Sequence, residues 1–279
     1  MELGEIGIWT HYHQIGEENA GAAARIVEDC GYGTFWLGGS PRLPTVRPLL
    51  EATERLVVGT AIVNIWAYEP EQLAAEYAEL AADFPDRLVV GIGVGHPEAT
   101  GDYSKPLTAM RAFLDGLDAA ADPLPAKMRC LAALGPRLLE LSAERSLGAI
   151  PYFVPLGHTG YAREVLGTGP LLAPELACVV DSDRSRARAA ARAYARIYLG
   201  LSNYTNSVLR FGFGDEDLAD GGSDRLIDAV VPQGSAEEIA AVARAHLDAG
   251  ADHVALQPVG KPGIPSEEWR ALAAAIVGR

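Results

Sequence analysis

Short apolar segments alternate with amphipathic, alanine-rich segments along most of the chain. The apolar segments are rich in β-branched residues, and several, such as residues 88–92, are apolar on both faces. This pattern is typical of parallel strands that are buried between two layers. The pattern predicts eight strands, at residues 5–10, 34–38, 56–63, 87–93, 129–134, 149–154, 175–181 and 253–258.

The segments between these strands carry helix start and stop signals. Pro70 and Pro136 each stand at the start of an amphipathic stretch, where proline is favoured in the first helical turn. Ser235 and Glu238 have the spacing of a capping box, and Gly250 ends the periodic segment that follows them. Strands and helices therefore alternate in the predicted order.

Eight strands that alternate with helices over 279 residues predict a (β/α)8 barrel of the TIM type. A doubly wound open sheet is the alternative, because alternation alone does not show whether the last strand pairs with the first. No change in composition marks a linker, so we expect residues 1–279 to form a single domain.

The one irregularity is residues 182–231, between the predicted seventh and eighth strands. An Arg/Ala-rich helix is predicted at 184–198, and a loop-rich segment follows at 202–223. Insertions of this size between the last two strands usually cover the active-site face of a barrel. We therefore predict that this segment is an insertion that forms a cap.

The composition of the chain indicates which classes of molecule it is not expected to bind. Hydrophobic residues make up 49% of the chain and charged residues 22%, as in globular proteins. The 37 acidic and 23 basic residues give a net charge of −14, which disfavours binding to nucleic acid or to a membrane surface. Three scattered cysteines (Cys30, Cys130 and Cys178) form no CxxC pair, so we expect buried thiols in a reducing cytoplasm.

Polar and aromatic residues follow the predicted strands, where the reactive groups of a barrel lie. Four of the six histidines are there: His11, His13, His96 and His158. We expect a site at this rim that takes a flat, phosphorylated ligand. Its predicted apolar walls are Trp9, Trp66 and Tyr68.

Residues 133–136 run from a strand into a helix N-terminus. Free backbone amides and the positive end of the helix can hold a phosphate there, although an ordinary tight turn would look the same. His158 and Thr159, at the start of the next helix, favour the binding interpretation.

Two other motifs suggest different chemistry. The spacing of His11 and His13 places both imidazoles on one side of an extended segment, as in metal-dependent hydrolase barrels. Such sites also need an acid after the last strand, where Gln257 stands, so we expect no metal. Residues 91–95 are glycine-rich but lack the G-x-G-x-x-G spacing of dinucleotide sites. We therefore interpret them as small residues that let a ligand or another backbone segment approach closely.

Six segments in order resemble the bacterial luciferase-like superfamily, and most closely its deazaflavin (coenzyme F420)-dependent oxidoreductases. The first two read ATERLVVGTAIVNIW at 52–66 and FPDRLVVGIGVGH at 84–96. The others, at 131–145, 169–175, 221–229 and 245–254, are similar to a short-chain branch of that group. The likeness extends from about Gly7 to Gln257.

The resemblance implies a TIM-like barrel, commonly a homodimer, that binds F420 or FMN at the carboxyl ends of its strands. It also implies a non-proline cis peptide between Ala61 and Ile62, which forms a bulge behind the flat ring. The turn after strand five would contact the cofactor. The expected cofactor-binding residues are Gly39, Ser40, Ala61, Ile62, Gly95, Ala133, Leu134, Gly135, His158 and Thr159.

The resemblance further implies an F420-dependent oxidoreductase that moves a hydride between the deazaflavin C5 and a small organic substrate. We expect His11 and His96 to act as acid and base, because imidazole titrates near neutral pH. Asn64 is the third catalytic candidate, as a hydrogen-bonding partner of the ring or the substrate. The expected substrate pocket consists of Trp9, Trp66, Tyr68, Asn203 and Tyr204.

Four positions, at three places in the chain, depart from the family pattern. Gly39 and Ser40 stand where several relatives have an acidic residue, His96 stands where many have a carboxylate, and Leu147 replaces an aspartate. Two alternatives therefore stay open. One is an FMN-dependent luciferase-like monooxygenase, and the other is a barrel that binds a flavin-type ligand without turnover.

Overall fold

Strands and helices alternate along the chain in the computed structural model, which describes residues 1–101 and 103–277. The strands are β1 (Ile6–His11), β2 (Thr34–Gly38), β3 (Val57–Ala61), β4 (Val63–Asn64), β5 (Leu88–Gly93), β6 (Arg129–Leu131), β7 (Gly148–Ala149), β8 (Leu171–Leu172), β9 (Glu175–Val180), β10 (Gln233–Gly234) and β11 (Val254–Pro258).

The helices lie outside the strands or in the insertion. They are α1 (Tyr12–Ile15), α2 (Ala20–Asp29), α3 (Arg47–Glu51), α4 (Pro70–Asp83), α5 (Pro106–Ala119), α6 (Pro136–Arg145), α7 (Leu156–Leu166), α8 (Arg184–Tyr198), α9 (Ser202–Leu209), α10 (Asp215–Leu218), α11 (Asp224–Val230), α12 (Ala236–Asp248) and α13 (Ser266–Val277). Across the two described ranges, no helix combines the length and apolar composition needed to cross a bilayer.

The strands are parallel and form a ring. Their order is β10-β9-β11-β1-β2-β3-β5-β6-β7-β8, with β4 paired to β5. Strands β8 and β9 are consecutive, and the backbone between them continues the pairing: Ala173 N donates to Ala149 O and Glu175 N to Pro151 O, both at 2.9 Å. On its other edge, Glu175 is in register with Ala255 of β11. Residues 171–180 thus join the two ends of the sheet, which confirms the (β/α)8 barrel.

Several predicted strand boundaries are wrong at the carboxyl ends. The strand expected at 149–154 is only Gly148–Ala149, because Pro151 has no N–H to donate and Phe153 has a left-handed φ of 54°. The strand expected at 129–134 ends at Leu131, and the one expected at 56–63 is divided at residue 62. Strands β8 and β10 were not predicted, because two residues carry no detectable period.

Two tryptophans fill the barrel interior because glycines face them. A Cβ on Gly38 would lie 1.9 Å from Trp9 Cη2, and a Cβ on Gly59 would lie 2.2 Å from Trp36 Cε3. Trp36 Nε1 donates to His253 Nε2 at 3.0 Å, and His253 Nδ1 donates to the carbonyl of Gly4 at 2.7 Å. This chain of bonds closes the end of the barrel at which the strands begin.

The insertion lies between β9 and β11, as predicted, and consists of helices α8 to α11. Exposed ion pairs join its first and last helices: Arg188 pairs with Asp228 at 2.8 Å and Arg192 with Asp224 at 2.5 Å. Alanines on the inner face of α8 and residues of α11 pack in one buried cluster with Val179 of β9. The insertion is therefore anchored to the barrel wall by packing.

Candidate active site

A cavity of about 530 Å³ lies at the carboxyl ends of the strands, between the barrel and α9. Its volume is typical of sites for small ligands and cofactors. The sequence-predicted residues that line it are Trp9, His11, Gly39, Ser40, Ala61, Ile62, Asn64, Gly95, His96, Ala133, Leu134, Gly135, Asn203 and Tyr204. The structure thus brings together most of the predicted site.

Two predicted pocket aromatics lie elsewhere, and the structure corrects that expectation. Trp66 is 37% exposed and donates from Nε1 to the carbonyl of Val94 at 2.7 Å. The Tyr68 hydroxyl donates to Glu76 at 2.8 Å and accepts from Leu43 N at 2.7 Å. Neither side chain is part of the cavity wall, because the chain turns outward after Asn64 into a short 3-10 helix.

His158 and Thr159, which were expected to bind the cofactor, also lie outside the cavity wall. His158 is fully buried, and its Nε2 lies 2.9 Å from the carbonyl of Leu134. Burial lowers the pKa of His158 to about 4, so its neutral ring donates that hydrogen bond. Thr159 contacts His246 Nδ1 at 2.8 Å. His158 thus supports the turn after β6, whereas Thr159 joins α7 to α12, and neither residue lines the cavity.

Ile62 and Gly93 form part of one wall of the cavity. The peptide between Ala61 and Ile62 is cis, as the family resemblance implies. Opposite it, a Cβ on Gly93 would lie 2.8 Å from Ile62 Cγ1 and 3.2 Å from the Cβ of Ala132. Glycine at position 93 therefore lets the Ile62 side chain pack closely against β5 on this wall of the cavity.

A positively charged corner lies at the start of α6. Gly135 is the N-cap of this helix, so the first-turn amides and the positive helix end face outward there. Arg210, which follows α9, lines the same cavity, and its Nη1 lies 3.4 Å from the position of a Cβ on Gly135. Sequence reasoning missed Arg210, because nothing local shows that the insertion returns to this turn.

His11 is neutral near pH 7, which alters its predicted role. Burial, and secondly the nearby charge of His13, lower its pKa to about 4. Its ring packs edge-on against Trp9 with centroids 4.7 Å apart, and its buried Nδ1 has no hydrogen-bond partner among the described residues. His11 therefore offers the cavity a neutral imidazole, and the argument from titration near neutrality does not hold for it.

His96 is held by a residue of the insertion. Its Nδ1 lies 3.0 Å from Asn203 Oδ1, and its ring centroid lies 5.2 Å from that of Tyr204. Because an amide oxygen only accepts, Nδ1 carries the proton of the neutral ring. Nε2 is then the unprotonated nitrogen that remains for a ligand.

Asn64 presents a hydrogen-bond donor at the same rim. Its Oδ1 accepts from Trp66 N at 3.1 Å, so this oxygen is already used to cap the following 3-10 helix. Its Nδ2 points toward Gly95 and would lie 2.9 Å from a Cβ there. Glycine at position 95 leaves this amide group accessible from the cavity.

Polar side chains that were not predicted lie at the cavity floor. The Tyr152 hydroxyl lies 2.6 Å from that of Tyr194 and 2.7 Å from that of Tyr198, and it donates to Gln257 Oε1 at 3.0 Å. Glu175 lines the floor beside them and is 3% exposed. The sequence pattern could not show this cluster, because its members come from four separate segments.

The described residues hold no group of three or more His, Cys, Asp or Glu side chains that could bind a metal ion. His11 and His13 do lie side by side, with ring centroids 4.9 Å apart. Gln257, which stands where metal-dependent barrels carry an acid, instead accepts hydrogen bonds from tyrosines.

The family model for luciferase-like monooxygenases matches residues 2–275 of the chain. None of the curated proteins compared with the chain is a significant match.

Solved structures share the fold over nearly the whole chain. One is an F420-dependent secondary alcohol dehydrogenase in complex with an F420-acetone adduct, which is 15% identical, has a TM-score of 0.76 and is matched over 99% of both chains. Another is the coenzyme F420-dependent tetrahydromethanopterin reductase from Methanopyrus kandleri, at 15% identity, a TM-score of 0.75 and 99% of both chains. A third is the oxygenating constituent of 3,6-diketocamphane monooxygenase from Pseudomonas putida, in complex with FMN, at 15% identity, a TM-score of 0.66, 98% of this chain and 96% of the other.

Proposed function

The chain belongs to the luciferase-like monooxygenase family, and from this premise we propose that it is an F420-dependent oxidoreductase. The proposed reaction moves a hydride between carbon C5 of the deazaflavin and a small organic substrate. The observation that carries the proposal is the cavity of about 530 Å³ at the carboxyl ends of the strands, which has small apolar residues on its walls and a positively charged corner at Arg210 and Gly135.

The residues that line this cavity fit a flat ring with an anionic tail. Ile62 packs closely against Gly93, and a methyl group at position 93 would push the Ile62 side chain away from the wall. At the end of the cavity near α6, Arg210 and the first-turn amides offer positive charge to a phosphate. A buried, unpartnered oxygen of Glu175 adds a polar contact at the floor.

The chain's own residues would position the substrate and handle its proton. F420, when bound, supplies two-electron hydride chemistry at C5. In the direction of alcohol oxidation, His96 Nε2 accepts the hydroxyl proton as the substrate carbon loses its hydride. In the reverse direction, the protonated His96 returns that proton to the alkoxide oxygen. Asn64 Nδ2 donates a hydrogen bond that orients the substrate oxygen.

F420 is preferred to FMN because two structural neighbours, with TM-scores of 0.76 and 0.75, are F420-dependent enzymes. The second candidate function is an FMN-dependent monooxygenase. It is favoured by the corner at Arg210, which suits the phosphate of FMN equally well, and by the FMN complex at a TM-score of 0.66.

Fluorescence titration of the pure protein with F420 and with FMN tests the proposal. We expect F420 to bind at micromolar concentration and more tightly than FMN. The F420-loaded protein is then mixed with a panel of ketones, aldehydes and secondary alcohols, and the F420 absorbance reports hydride transfer. Preferential FMN binding with oxygen consumption would support the monooxygenase, and failure to bind either ring would overturn both candidates.

A further inference from the structure

The cavity floor contains a carboxyl group with one oxygen bound and the other free. Glu175 Oε2 accepts a hydrogen bond from Phe153 N at 3.1 Å, which holds the turn where Phe153 has a left-handed φ of 54°. Glu175 Oε1 is buried and has no partner among the described residues. The residue lines the cavity and is only 3% exposed, so an occupant of the cavity is the partner within reach of this oxygen.

The surroundings of Glu175 favour its uncharged form. Burial raises the pKa of Glu175 to about 8, against the opposing effect of the Phe153 hydrogen bond. The charge of ionised Glu175 would raise the pKa of five neighbouring titratable groups. They are Cys178 on its own strand and the tyrosines Tyr152, Tyr194, Tyr198 and Tyr204. All of them are neutral near pH 7, and no cation is among them.

The hydrogen bond from Phe153 decides which oxygen carries the proton. Oε2 accepts the Phe153 amide hydrogen, so in the uncharged acid Oε2 is the carbonyl oxygen and the proton is on Oε1. The free Oε1 atom is therefore a hydrogen-bond donor. It requires an acceptor atom on the occupant of the cavity.

We infer that Glu175 Oε1–H donates to a carbonyl oxygen of the bound ring and so anchors its pyrimidinedione end at the cavity floor. This inference rests on the proposed binding of a flavin-type ring. That end of the ring is its polar end and carries two carbonyl groups, whereas the small residues Ala132 and Ala173 on the walls suit its apolar faces. The anionic tail then extends toward Arg210 at the opposite, exposed side.

The pH dependence of ring binding tests this inference. The dissociation constants of FMN and F420 are measured by fluorescence at pH 6 to 9 for the wild type and for Glu175→Gln. We expect wild-type affinity to be constant to about pH 7.5 and to fall about tenfold by pH 9, because ionised Glu175 loses its donor. Glu175→Gln keeps a donor for the ring and an acceptor for Phe153 N and does not titrate, so its affinity should not vary with pH across this range.

A purely structural role would give a different result. An ionised Glu175 accepts from Phe153 N as well as the acid does, so a residue that only holds the turn predicts no difference between the two pH profiles. Identical profiles would therefore overturn the inference. In Glu175→Met, checked for folding by near-UV circular dichroism, we expect at least tenfold weaker binding and a higher carbonyl stretching frequency of bound FMN. If the wild type binds neither ring at pH 7, the proposed function itself fails.

Discussion

His96 Nδ1 lies 3.0 Å from Asn203 Oδ1, and this contact joins the end of β5 to helix α9 of the insertion. A second contact lies beside it, since Ser202 N donates to Glu98 Oε1 at 2.9 Å. The insertion thus covers the cavity and also determines which nitrogen of His96 faces a ligand. Both functions come from two consecutive residues at the start of α9.

Removal of the His96 ring should abolish proton transfer and leave cofactor binding intact. We expect His96→Ala to lower kcat by about 100-fold or more, the usual contribution of a positioned acid–base group, with F420 affinity changed less than threefold. Asn203→Ala frees the ring and should lower kcat about tenfold, whereas Asn203→Asp keeps an acceptor for Nδ1–H and should retain more activity. Steady-state kinetics with a substrate from the carbonyl panel measures all three. An unchanged kcat in His96→Ala would remove this residue from the mechanism.

A side chain at position 93 should weaken ring binding without unfolding the barrel. In Gly93→Ala the added methyl group lies 2.8 Å from Ile62 Cγ1, so the Ile62 side chain must move into the space for the ring. We expect the affinity for F420 or FMN to fall at least tenfold in a fluorescence titration.

Gly160→Ala is the matched control for this variant. A Cβ on Gly160 meets nothing within 4 Å, and the residue lies inside α7. Alanine there should raise the free energy of unfolding by roughly 0.5–1 kcal/mol and leave ring affinity unchanged. Equal affinities for Gly93→Ala and Gly160→Ala would show that the ring does not lie beside Ile62.

The sequence predicted well what depends on local periodicity. The barrel strands, the capping box at Ser235 and the insertion after β9 each have a pattern of their own, and the structure contains all three. The residues after each strand were predicted for the same reason, since parallel strands bring their carboxyl ends to one rim. The prediction that Trp66 lines the pocket was wrong, because a short 3-10 helix begins after Asn64 and turns this side chain outward.

The sequence could not show contacts between segments that are far apart in the chain. Arg210 reaches the turn at Gly135 from the far side of the insertion, and Glu175 meets Phe153 only because β9 closes the ring beside β7. The environment of His11 is of the same kind. A histidine side chain usually titrates near neutral pH, but burial at the carboxyl ends of the strands lowers the pKa of His11 to about 4.

Loss of the Arg210 charge should lower the affinity for ligands that carry a phosphate and leave the affinity for other ligands unchanged. A charge-assisted contact to a phosphate contributes about 1.5–3 kcal/mol, so Arg210→Ala should weaken FMN roughly 10- to 100-fold. Riboflavin has the same ring without the phosphate and should bind both proteins equally. Isothermal titration calorimetry of the two ligands measures this difference.

The control for net charge is Arg25→Ala, which removes an exposed arginine from α2, a helix that contributes no residue to the cavity wall. It should leave both affinities unchanged, and added salt should reduce the difference between wild type and Arg210→Ala. Equal losses of FMN and riboflavin in Arg210→Ala would mean that Arg210 acts on the ring or on the fold.

Three buried histidines should make the fold sensitive to acid. Burial lowers the pKa of His158, His246 and His253 from 6.5 to about 4. Between these values the unfolded chain binds protons that the native protein does not, so stability falls as the pH falls from 6.5 to 4. Each histidine contributes up to about 1.4 kcal/mol for each pH unit. Urea denaturation of the unliganded protein should therefore show a steep loss of stability below pH 6.5.

Glu175 should have the opposite effect on stability at higher pH. Its pKa is raised from 4.5 to about 8 by burial, so between these values the native protein holds a proton that the unfolded chain has released. The free energy of unfolding then decreases as pH rises, by up to about 1.4 kcal/mol for each pH unit, and the decrease is visible above about pH 7, where the histidines are mostly neutral in both states. We expect wild-type stability in urea to be greatest near pH 7 and to decline to pH 8, whereas Glu175→Gln should show no decline over that interval. A wild type that is equally level would mean that Glu175 is already ionised in the native protein.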